Sequence, residues 1–285
     1  MRKAAVIGTL LTTSILAGCM SAKPGAQVAS PTPMGDNHSF AYQVAYAAGI
    51  TDGGLKDTVL TEQELRSSNL IGDSAMATLA SPAGISSGTH FGISLVGNIL
   101  ADMGDKYDSQ KPHLIAWMPK EMAPDSESAA LKLREVLKTG IEKALSATGH
   151  SAYTISDMEP KNDLLVEIGY RTYFNDVSRA GDCEDSICYG VTDVYAPFIS
   201  TSPDFASGSE AWFFGHPDNK SRYDVGDLKN IQNQVGLLSA LSAELPEWIY
   251  LYVPPRKFTI SRDEKLNAPL VLNQGTPHFF VKSKS

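Results

Sequence analysis

An α+β fold is the class this sequence predicts: a mixed sheet covered by two amphipathic helices, plus a Gly-spaced N-terminal helix. Three observations carry that expectation. Two segments place apolar residues at helical spacing, one segment alternates at strand spacing, and several short apolar runs are bounded by Pro or Gly. Composition agrees with a folded body. Of 285 residues 42% are hydrophobic and 20% charged, which excludes wholesale disorder. Net charge is -8 and the pI about 5.2, so nucleic acid is not an expected partner, because phosphate binding needs a basic surface.

The first helix is the clearer of the two. Asp125 or Ser126 caps it, Leu133, Leu137, Ile141, Ala144, Leu145 and Thr148 share one face, and Gly149 closes it. The second runs from Asp227 to Leu245 with Ile231, Val235, Leu238, Leu241 and Leu245 on a stripe, and Pro246 stops it. Asp163 to Phe174 alternates: Leu164, Val166, Ile168, Tyr170, Thr172 and Phe174 face one way, Glu167, Arg171 and Tyr173 the other. Further strands are expected at His113–Met118, Tyr189–Ile199, Ala211–Gly215, Trp248–Val253 and His278–Val281. Phe40–Ile50 fits a short helix or a strand, and Thr61 with Glu64 fits a helix start. The aromatic runs at Trp212–Phe214 and Trp248–Tyr252 suit core packing, with a carbohydrate- or protein-contacting surface as the other reading.

Residues 1–18 stand apart from this body. Met1-Arg2-Lys3 is a positive n-region, and Ala4–Leu16 is an uncharged, largely apolar run of 13 residues. That length is short for a hydrocarbon core of about 30 Å, so the segment reads as a signal peptide and not as a permanent span. It ends in Leu16-Ala17-Gly18-Cys19, which resembles the lipobox of bacterial lipoprotein precursors. The resemblance implies cleavage before Cys19, diacylglycerol on the Cys19 sulfur and an acyl chain such as palmitate on its amine. Several chains make a stable anchor, at about 0.8 kcal/mol per buried methylene. Met20 and not Asp follows, which resembles an outer-membrane-directed lipoprotein facing the periplasm. Removing residues 1–18 takes away Arg2 and Lys3 and leaves 267 residues with net charge -10.

Residues 19–39 are rich in Ala, Ser, Pro and Gly and read as the lipidated N-terminus followed by a flexible tether. Residues 40–285 then form a single periplasmic domain. Two Cys remain, Cys183 and Cys188 in an acidic loop. Export brings them to an oxidising compartment, where a disulfide is expected; a metal site would need two further ligands, which no nearby His or Cys supplies.

Ser74–Ala101 has no charged residue, and within it Gly84, Gly88 and Gly92 recur every fourth position. In a helix each Gly costs about 0.8–1.0 kcal/mol relative to Ala. Close backbone packing is the usual compensation, so these glycines are a candidate packing interface, within the domain or in self-association. The same stretch carries Gly84-Ile85-Ser86-Ser87-Gly88, a G-x-S-x-G match. It would make Ser86 the nucleophile of a periplasmic serine hydrolase with His216 or His278 as base. Against that, no strand precedes the motif, Pro82 lies just before it, and no H-G-G-G segment offers an oxyanion hole. The six His are scattered without ligand spacing, so no metal or cofactor is expected. The sequence therefore favours a non-enzymatic envelope lipoprotein with no catalytic residue assigned. Its expected partners are the membrane, through the anchor, and other envelope proteins of a secretion, conjugation or transport assembly.

Overall fold

The computed structural model describes residues 25–31, 34–35, 37–61, 107–148, 152–158, 169–176, 188–215, 222–224, 233–261, 264–266 and 268–284. Cys19, Cys183, Gly84, Gly88, Gly92, Ser86 and His216, together with the signal segment 1–18, lie outside these residues. The fold is α+β, with parallel and antiparallel pairing and helices packed on a sheet.

At its centre is a six-stranded sheet. It contains β2 (His113–Pro119), β6 (Phe198–Thr201), β7 (Glu210–Phe214), β9 (Ile249–Val253), β12 (Leu270–Asn273) and β13 (Thr276–Phe279). Their order is β13-β12-β9-β2-β7-β6, and every neighbour is antiparallel. The His113–Met118 run was expected as a strand because it is apolar and stops at Pro119. It is continuously apolar because both of its faces are covered. Leu114, Ala116 and Met118 point into one core cluster, Ile115 and Trp117 into another.

Helices α2 (Ser126–Ala147) and α3 (Gln234–Glu244) cover the first face. Asp125 caps α2, its carboxylate accepting the Ser128 N–H at 2.7 Å; that bond holds the Asp125 carboxyl below its usual range. The predicted stripe Leu133, Leu137, Ile141 and Ala144 is buried, while Thr148 sits exposed at the C-terminal cap. Gly140 lets α2 and α3 approach closely: a Cβ there would lie 2.8 Å from Leu245 Cδ2 and 3.3 Å from Leu241 Cδ1. Residues 227–232 of the predicted second helix lie outside the described residues; α3 starts behind the Asn233 cap, whose side chain accepts the Gly236 N–H at 2.7 Å. It is not amphipathic in place, because Val235, Gly236, Leu237, Leu238, Ser239 and Ser242 are all buried.

The second face is covered by α1 (Phe40–Ala47) and the loop that follows it, through Ala41, Val44, Ala45, Ile50 and Leu55. The helical alternative for Phe40–Ile50 is therefore the correct one. Ser39 caps it, accepting the Tyr42 N–H at 3.1 Å.

A separate antiparallel sheet, order β3-β4-β5-β8, contains β3 (Ala152–Met158), β4 (Gly169–Asp176), β5 (Cys188–Tyr195) and β8 (Arg222–Asp224). Helix α2 contacts its first three strands. The strand expected over Tyr189–Ile199 is thus two strands in two sheets, broken at Ala196-Pro197 where proline supplies no N–H to a ladder. His278–Val281 likewise divides between β13 and β14 (Val281–Ser283), and β14 pairs in parallel with β1 (Thr58–Leu60). A short β10–β11 hairpin, Thr259–Ser261 with Glu264–Lys265, completes the described strands.

One expectation is corrected within residues 19–39, read as a flexible tether. Gly25 N–H donates to Pro197 O at 2.8 Å, Ile199 N–H to Ala26 O at 3.0 Å, and Val28 N–H to Ile199 O at 2.8 Å. Gln27 bridges Ile199 in parallel. These residues extend the sheet beyond β6, and an edge strand needs only backbone donors and acceptors to recruit them.

Candidate functional site

Sequence reasoning assigned no catalytic residue; two polar clusters that include a His and an Asp lie on the α1 side of the central sheet. The first surrounds Asp57, whose side chain is only 4% exposed. Its carboxylate accepts the Ser39 N–H at 2.9 Å, the Ser39 hydroxyl, and the His38 Nδ1–H at 3.2 Å. His38 stacks on Tyr42, ring centroids 4.9 Å apart. Serine, histidine and aspartate meet here in an order that does not activate serine. A nucleophile needs its hydroxyl on the histidine, whereas here hydroxyl and imidazole both donate to one carboxylate. The cluster fastens the N-terminus of α1 to the loop before β1. Lys282 adds to it from β14, donating to Asn37 O at 2.9 Å.

The second cluster ties the single helical turn Asp108–Gln110 to the sheet. Asp52 accepts the Asp108 N–H at 2.8 Å and the Ser109 N–H at 3.0 Å. The Tyr252 hydroxyl donates to Ser109 O at 2.5 Å, and His113 Nε2–H donates to Asp108 O at 2.8 Å. A carbonyl can only accept, so His113 carries its proton on Nε2 here. Burial, with the Asp52 charge nearby, pushes the Tyr252 hydroxyl far above the usual tyrosine range. It therefore serves as a fixed donor and not as an acid.

Between the clusters runs an aromatic seam. Trp117 stacks on Phe213 at 5.2 Å with planes 2° apart, and meets Phe205 and Tyr250 edge-on at 5.7 Å each. Of the two readings open for the aromatic strands, core packing is the one realised: Trp212, Phe213, Phe214, Tyr250 and Tyr252 are all buried. Tyr250 is raised to about 12 by burial, with a smaller push from Glu247.

His278, the one described residue of the serine-hydrolase alternative, packs against Phe40 at 4.5 Å between ring centroids on edge strand β13. Burial lowers its pKa from 6.5, so the folded state holds it neutral where the unfolded chain would bind a proton. The unfolded state then carries more protons below about pH 6.5, and stability falls with pH in that window. Urea midpoints measured between about pH 7.5 and 5.5 should decline, and His278→Gln should flatten the decline. An unchanged slope in that variant would assign the dependence to other groups.

Cys188 opens β5 with Asp176 as its cross-strand partner. Among the described residues there is no group of three or more His, Cys, Asp or Glu able to hold a metal, and no helix long and apolar enough to cross a membrane. The Asp57 and Asp52 clusters had no signature in the sequence, since each joins residues 18 or more positions apart. A local signal that could have drawn attention there is Ser39, a serine directly before an apolar run, although the segment ending at Ser39 read as a tether.

Comparison with protein-family models, curated proteins and solved structures gives no match.

Proposed function

We propose that this chain is a lipid-anchored cell-envelope protein, a non-enzymatic structural or accessory component that docks on other envelope proteins. The observation that carries the proposal is Leu16-Ala17-Gly18-Cys19 at the end of a 13-residue uncharged run behind Arg2 and Lys3. Charge, length and small residues before the cysteine all fit export followed by lipidation. The net charge of -10 on the mature chain supports attachment through lipid, since an acidic body is repelled by an anionic leaflet. In this reading the periplasm-facing side of the outer membrane is its location.

Metabolic labelling with a palmitate analogue tests the anchor. Wild-type chain should take up label and partition with membranes, and Cys19→Ser should lose both properties. An unlabelled wild-type chain would overturn the anchor. For docking, crosslinking of the full-length lipidated protein in cells should yield covalent complexes with envelope proteins or with itself. Recovery as a monomer alone would count against docking. Activity that survives in the lipidated Ser86→Ala variant is expected as well, because the hydrolase alternative depends on that hydroxyl.

A further inference from the structure

The residues between the proposed anchor and the folded body are few, and this fixes which end of the body meets the bilayer. A tether running freely from Cys19 to Ser39 could reach about 70 Å when extended, leaving the body's orientation open. The backbone bonds of Gly25, Ala26 and Val28 to Pro197 and Ile199 remove most of that length. Six peptide steps remain between Cys19 and Gly25, a reach of at most about 20–22 Å. Gly25 also sits against the first residue of α2, where a Cβ would lie 3.1 Å from Ser126 Oγ.

We propose that the β6 edge, with the N-terminus of α2 beside it, is the membrane-facing end of the body, and that the β13–β14 end points away from the bilayer. This rests on lipidation of Cys19 as proposed above. Strands β6 and β13 are the opposite edges of the six-stranded sheet, five spacings or about 24 Å apart, which exceeds the tether's reach. The acidic body has no electrostatic reason to lie flat on anionic lipid, so the short leash decides the orientation. Residues 25–29 then act as a strut and not as part of a spacer.

The test places a photoreactive benzophenone amino acid in the full-length lipidated chain. One position is Glu127, exposed beside Ser126, and the other is Val59, 50% exposed on β1 at the far end. Phospholipid adducts in native membranes are then counted by mass spectrometry. Adducts at Glu127 should exceed those at Val59 by about fivefold or more, since the effective lipid concentration depends on the leash. Inserting about twelve Gly and Ser residues between Pro24 and Gly25 should abolish the preference. Equal adducts at both positions in a chain with lipidated Cys19 would overturn the orientation and leave the anchor standing. A preference that survives the insertion would overturn the role of the leash. Absence of lipid on Cys19 in the same mass spectra would overturn the anchor, and this inference with it.

Discussion

Trp117→Ala is expected to lose about 3–5 kcal/mol of stability, a large part of the 5–15 kcal/mol typical of a folded domain. Trp117 is 1% exposed in the middle of β2, itself central in the sheet. Its indole is enclosed by the rings of Phe213, Phe205 and Tyr250. Those rings are fixed by their own strands and by the turn at Asp204–Ala206, so they cannot all collapse into the vacated volume. Trp117→Phe should behave differently. Among the described residues the buried indole N–H has no hydrogen-bond acceptor, a state that costs about 1–3 kcal/mol. Phenylalanine gives up part of the stacking area and removes that unpaired donor, so its loss should stay below about 1.5 kcal/mol. Denaturant unfolding followed by far-ultraviolet circular dichroism measures both variants without depending on tryptophan emission. Equal losses for Ala and Phe would mean that the seam is not closely packed around this ring.

The same strand shows what the sequence made legible and what it could not. A run of apolar residues ending at Pro119 identified β2, but periodicity does not say that its two faces enter two different cores. Helix α2 was readable to its cap because one face alone is buried, and that leaves the 3.6-residue pattern intact. For α3 the stripe suggested an exposed back, yet both sides are covered, because the β12–β13 turn packs on it as well as α2 and the sheet. Strand β12 escaped notice because Leu270-Val271-Leu272 is a short apolar run directly after Pro269, too brief to show a period. The pairing of residues 25–29 with β6 is a clearer case. Composition reports side chains, and a segment rich in Ala, Ser, Pro and Gly reads as a spacer. Edge pairing uses the main chain, which every sequence carries. The Asp57 clasp was hidden for a related reason, since its partners meet only after α1 and the following turn bring them together.

Gly275→Ala should cost about 2–5 kcal/mol, from two separable sources. Gln274 and Gly275 form the two-residue turn between β12 and β13, with φ of 46° and 76°. Positive φ at both centres is the geometry that matches the twist of a hairpin. A side chain at position 275 in that region costs about 1–2 kcal/mol. The second source is steric. A Cβ at 275 would lie 2.9 Å from Ala243 Cβ, 3.4 Å from Ala243 Cα and 3.5 Å from Ser239 O, all rigid parts of α3. Overpacking of this kind typically costs about 1–3 kcal/mol. The turn cannot back away cheaply. The Ser239 hydroxyl donates to Gly275 O at 2.9 Å, and Gly275 N–H donates to Ser242 Oγ at 3.1 Å, both buried. A double-mutant cycle separates the sources. Ala243→Gly alone should lose about 1 kcal/mol through helix propensity. Combined with Gly275→Ala it should recover the steric part, so the pair should be more stable than the two single losses predict. The conformational part should remain, and Gly275→Asn in the Ala243→Gly background should reduce it, because asparagine tolerates positive φ. Strict additivity in the cycle would show that the turn does not press on α3, and the whole cost would then belong to the backbone at position 275.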